Sequence, residues 1–156
     1  MINRPILLRT AFAAALLALV GCAGQPMSSS APPSTIQVYE GTLSPAQEVP
    51  PAADSKGTGT VEVRVDTRTY ELSWKISFSG LTGPASMGHI HGPAAAGANA
   101  GVVIPFPGVA NATSAEGKGM MTTAQYGDLA AGLYYANVHT ARYPGGEIRG
   151  QLRRRP

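Results

Sequence analysis

Between Gly57 and Gly80 the chain alternates apolar and polar residues with a period of two, and this feature constrains the fold more than any other. Val61, Val63 and Val65 are separated by Glu62 and Arg64. After the polar link Asp66-Thr67-Arg68-Thr69, the residues Leu72, Trp74, Ile76 and Phe78 are separated by Ser73, Lys75 and Ser77. Successive side chains of an extended chain point to opposite faces, so each run gathers its apolar residues on one face; wound as a helix, the same runs would scatter them around the axis. Two such runs with a four-residue link predict a β-hairpin turning at Asp66 to Thr69.

Further runs at STIQVYEGTL, AGVVIPF, GKGMMT, GLYYANVHT and GGEIRGQL are short and separated by Gly, Pro and Asn. Many short strands at this spacing suggest an all-β sandwich or barrel; the fold we expect is an antiparallel β-sandwich with a superoxide-dismutase-like or immunoglobulin-like Greek key. One short helix is expected in TTAQYGDLAAG, where Thr122 or Thr123 can accept from free backbone N–H groups and Gly132 can end the turn. No internal repeat is present.

The first 21 residues have a different grammar. Arg4 and Arg9 precede the apolar segment AFAAALLALVG, which is too short for a membrane-spanning helix and ends at small residues, the layout of a secretory signal peptide. Leu19-Val20-Gly21-Cys22 resembles the bacterial lipobox, in which the cysteine is acylated and becomes the new amino terminus. Cys22 is the only cysteine, so it has no intramolecular disulfide partner, and lipidation gives it a use. Residues 22–34, rich in Ser, Pro, Ala and Gly, read as a flexible tether, and residues 35–153 as one domain. The expected location is the cell envelope, lipid-anchored, at the outer membrane facing the periplasm, because Ala23 replaces the aspartate of an inner-membrane retention signal.

The formal charge of +3 does not argue for nucleic-acid binding. Arg4 and Arg9 leave with the signal, and Arg153, Arg154 and Arg155 form a terminal tail expected to be frayed and solvated, so the domain body is expected to be close to neutral or slightly acidic. The expected partners are the membrane, through the lipid, and an envelope protein.

Chemistry concentrates in the histidines. MGHIHGP contains His89 and His91, and the only other histidine is His139 in YANVHT. If both segments are extended, Met87, His89 and His91 share one face, and Tyr135, Asn137 and His139 share another. Three imidazoles on neighbouring strands can converge on a metal ion. Three nitrogens with the Met87 thioether as an axial donor suit copper, with zinc as the alternative, and not calcium or magnesium. With ordinary imidazole pKa values near about 6.5, such a site would lose its metal as pH falls from about 7 to 5.

The segments GTLSPAQEVPP, GHIHGPA and YANVHTARYPGGEIRGQL resemble the CHRD domain, named for chordin, over about Glu40 to Leu152. The resemblance implies an extracytoplasmic β-sandwich and no established activity. The histidine segments also resemble those of copper–zinc superoxide dismutase, which would make His89, His91 and His139 copper ligands. The chain has no further histidine for a bridging ligand and no histidine-rich zinc loop, so this likeness does not extend to dismutase activity. Glu147 and Arg149 in PGGEIRG are expected to pair with each other or to orient a histidine. Of Met120 and Met121, at least one is expected in the core. Asn111-Ala112-Thr113 matches a glycosylation sequon by chance. No nucleophile–base pair is visible, so hydrolase chemistry has no support and a non-catalytic role is expected.

Overall fold

The computed structural model describes residues 35–156; the expected signal peptide, Cys22 and the expected tether all lie outside the described residues. Among the described residues, nine strands form two antiparallel sheets. β1 (Ile36–Leu43), β2 (Thr58–Asp66), β3 (Glu71–Ser79), β6 (Ser114–Met120) and β9 (Arg153–Arg154) make one, in the order β6-β3-β2-β1-β9. β4 (Ala85–His91), β5 (Val102–Pro105), β7 (Tyr135–Thr140) and β8 (Ile148–Gln151) make the other, in the order β5-β4-β7-β8.

The expected hairpin is β2–β3, with Val61 opposite Ile76 and Val63 opposite Trp74. Its inward residues, with Tyr39 and Leu43 of β1, meet Ile90, Ala136, Val138 and Ile148 of the second sheet in one core. Trp74 lies at its centre, with its ring 4.3 Å from that of Phe106. β6 makes room for the indole by placing Gly117 against it; a Cβ there would come within 2.5 Å of the ring.

The first three strands remain in one sheet. An immunoglobulin domain sends its third strand to the opposite sheet, so of the two Greek-key variants expected, the immunoglobulin one is excluded. The helix α1 spans Thr123–Ala130. Thr122 caps it, accepting from Gln125 N, while the Gln125 side chain accepts from Thr122 N.

The arginine tail departs from expectation. Arg153 and Arg154 pair with Glu40 and Tyr39 of β1, and Arg155 reaches Glu40 and Glu62. Acidic residues on neighbouring strands supply the partners, so the end is a short edge strand and not a frayed terminus. Met121 is buried and Met120 exposed.

Candidate metal centre

The site lies on the outer face of the four-stranded sheet. In β4, Gly88 and Ile90 turn towards the core, which leaves Met87, His89 and His91 on the other face. Register then matches Met87 with His139, His89 with Asn137 and His91 with Tyr135 on β7. All three histidines therefore fall on one face, as the alternation of the two segments implied. Two loops cover this face, one carrying Glu48 and one carrying Ala98, Asn99 and Ala100, so that His91 and His139 are buried and His89 half-buried.

One nitrogen from each ring lies within 4.8 Å of one from each of the others. Any three points so spaced fit inside a circle of radius about 2.8 Å, close enough to metal–imidazole distances of about 2.0–2.1 Å that small ring rotations bring them to one ion. His89 Nδ1 and His139 Nε2 are already 3.1 Å apart. The chemistry of the donor set, three uncharged nitrogens, fits a transition metal.

The rings are oriented from behind. His139 Nδ1 donates to Pro144 O at 2.9 Å, which leaves Nε2 with its lone pair towards His89. His91 Nδ1 is 3.0 Å from Ala100 O, and its Nε2 is 3.0 Å from Asn137 Oδ1. His91 also stacks on Tyr135, with centroids 4.9 Å apart and planes 4° from parallel, and the Arg149 guanidinium lies 3.4 Å from the centre of the same tyrosine ring.

Burial lowers all three imidazole pKa values. His89 falls to about 4, through desolvation first and then the neighbouring His139 and His91. Desolvation also leads for His91 and His139, outweighing the carbonyl contacts that favour protonation. The uncharged, ligand-competent form therefore persists well below the ordinary value of about 6.5. This moves the expected proton competition to more acid pH than the unperturbed window of about 7 to 5.

Met87 is 48% exposed, opposite His139 at the open edge of the cluster. Glu147 and Arg149 do not pair with each other among the ion pairs of the described residues. Glu147 accepts from Ser55 Oγ, Thr82 N, Thr82 Oγ1 and Thr140 Oγ1 and touches no histidine in these bonds. Burial pushes its carboxyl up, but the hydrogen bonds from Thr140, Ser55 and Thr82 prevail and leave the pKa lowered. Arg149 donates to Asn99 Oδ1 and Ala98 O, fastening the covering loop, and lies over the Tyr135 ring that stacks on His91.

Sequence reasoning gave no role to two residues of this face, placing Asn137 beside His139 and missing Glu48. Asn137 is 2% exposed and central to it, on the face that alternation within YANVHT assigned. Glu48, 4% exposed, has a pKa pushed up to about 7 by burial, against the opposing influence of Arg149, the Val49 N–H and the Asn137 amide. Nothing local in PAQEVPP marks it.

The CHRD domain family model matches residues 39–152. No curated protein and no solved structure gives a significant match.

Proposed function

The chain belongs to the CHRD domain family, and we propose that this member is a lipid-anchored envelope protein whose β-sandwich holds a copper-type ion through His89, His91 and His139 without catalysing a reaction. The observation that carries this reading is the convergence of the chain's only three histidines on one face, with their nitrogens within 4.8 Å. Their lowered pKa values support it, because a buried cluster of neutral imidazoles is ready to bind a metal without first losing protons. Copper and zinc both accept imidazole; the exposed Met87 thioether favours copper.

Anchoring rests on the lipobox-like Leu19-Val20-Gly21-Cys22 and on the single cysteine. Two or more acyl chains hold a protein on a membrane stably, at about 0.8 kcal/mol per buried methylene. Ala23 directs the reading to the outer membrane, facing the periplasm. Fractionation of wild type beside Cys22→Ser tests it: wild type is expected with membranes and the variant in the soluble fraction, and a soluble wild type refutes the anchor.

The metal is tested by thermal melts with and without copper at about pH 7.5. A ligand present at about 100 times its Kd stabilises a fold by about 2.7 kcal/mol, so Tm should rise, and His89→Ala/His91→Ala should abolish the rise and the bound stoichiometry. Identical curves would end the metal reading.

A second reading, a metal-free module for an envelope protein partner, is favoured by one observation: each His91 nitrogen already faces an oxygen within the fold. Under it, the histidines brace the loop that covers the sheet. A redox enzyme is the third class, and background rates in superoxide and peroxide assays would remove it.

A further inference from the structure

The hydrogen-bond pattern around His91 adds a donor to the set and rests on the metal reading above. A carbonyl oxygen only accepts, so Ala100 O requires the proton of neutral His91 to sit on Nδ1. Nε2 then carries a lone pair, and the atom facing it at 3.0 Å is Asn137 Oδ1, a second acceptor. Two lone pairs at that distance with no proton between them repel. A cation set against both removes the conflict.

Turning the amide over would present Nδ2–H to His91, but it would also turn the amide oxygen towards Glu48. The carboxylate interacts with the Asn137 amide, and both crowd Gly146, where an added Cβ would collide with Glu48 Oε1 and come within 2.8 Å of Asn137 Nδ2. Glu48 Oε1 is itself buried without a hydrogen-bond partner. The amide nitrogen stands beside Glu48 at Gly146, which leaves the oxygen on the histidine side.

We propose that Asn137 Oδ1 is the fourth protein ligand of a divalent ion held by His89, His91 and His139, and that Glu48 is the positioning residue that keeps this oxygen turned inward. Two donors about 2.1 Å from one ion and about a right angle apart are separated by about 3 Å. The pairs His89 Nδ1 with His139 Nε2, and His91 Nε2 with Asn137 Oδ1, lie 3.1 and 3.0 Å apart. Asn137 stands opposite His89 in register and two residues before His139, in the middle of the cluster, whereas Met87 lies at its exposed edge. An amide oxygen is a harder donor than a thioether, so this set selects Zn(II) or Cu(II) over Cu(I).

The test is titration of the full-length protein in detergent with Zn(II) and with Co(II) as a spectroscopic probe. Asn137→Ala should weaken binding at least about tenfold and move the Co(II) visible band, Asn137→Asp should restore affinity, and Met120→Leu, exposed on the other sheet, should match wild type. Glu48→Ala should weaken binding and Glu48→Gln should restore it; a Glu48→Ala affinity equal to wild type overturns the positioning role. Equal affinity and identical Co(II) spectra for wild type and Asn137→Ala, with binding lost in His89→Ala/His91→Ala, overturn the fourth ligand and leave the three-histidine site standing. A wild type that binds neither ion overturns both. Should Asn137→Ala not fold, the Asn137 side-chain NH2 resonances of the wild type decide. They must shift on Zn(II) addition, and unmoved resonances beside shifted histidine signals overturn the assignment.

Discussion

Two buried carboxyls show how neighbours decide what a side chain does. Glu147 is enclosed by donors from Ser55, Thr82 and Thr140, so Glu147→Ala would leave several buried donors unsatisfied. It is expected to cost about 3 kcal/mol, read as a lower urea midpoint at unchanged m-value, with Glu147→Gln losing less. Glu48 is the opposite case, since burial lifts its pKa from 4.5 to about 7. An acid whose folded pKa is raised binds its proton more tightly in the folded state, so its stabilising effect is complete below about 4.5 and fades as pH rises to about 7. Glu48→Gln should therefore be more stable than wild type at about pH 7, with the difference vanishing below about pH 4.5. Chemical melts of metal-free protein at the two pH values check this, and an equal difference at both would contradict it.

Elements in this chain were legible where one strand carries its own apolar face, and obscure where a strand depends on a partner. β2 and β3 could be read directly. β6, in contrast, has the sequence SAEGKGM and faces the core with Ala115 and two glycines, because Trp74 of the adjacent strand fills the space. That dependence predicts that Gly117→Ala costs about 1–3 kcal/mol by overpacking against the indole. Thr122→Ala, which removes only a cap from the exposed helix start, should cost about 1 kcal/mol. Urea denaturation of the two variants side by side tests the ranking, and a larger loss from the cap would refute it. The strand β9 was hidden for the same reason as β6, since Glu40 and Glu62, which hold Arg155, lie about a hundred residues earlier. The histidine cluster was legible because strand alternation assigns faces and the chain has only three histidines. Glu48 was not, because its place over the sheet is set by the path of a loop.

At the scale of the whole molecule, the histidine face sets how stability responds to acid. Each of His89, His91 and His139 has a folded pKa below its unfolded value of 6.5, reaching about 4 for His89. The neutral form is the one the fold favours, so its contribution is complete above about 6.5 and is lost as pH falls towards the folded values, where the unfolded chain binds protons that the native state resists. Glu48 acts in the reverse sense over part of the same range, but it is one group against three. The Tm of metal-free protein is therefore expected to fall as pH drops from about 6.5 to 4, and His89→Gln/His91→Gln/His139→Gln should flatten that slope. Bound metal should hold Tm up further into acid than unperturbed imidazoles would allow, since protons begin to displace it only as pH nears the lowered pKa values, and then steeply, with up to three protons taken up per ion released. Paired melts of metal-free and copper-loaded protein at half-unit steps from about pH 7.5 to 4 measure both effects. Curves that converge already near pH 6.5 would mean that the cluster titrates as exposed imidazole, which contradicts the burial that the two covering loops impose on it.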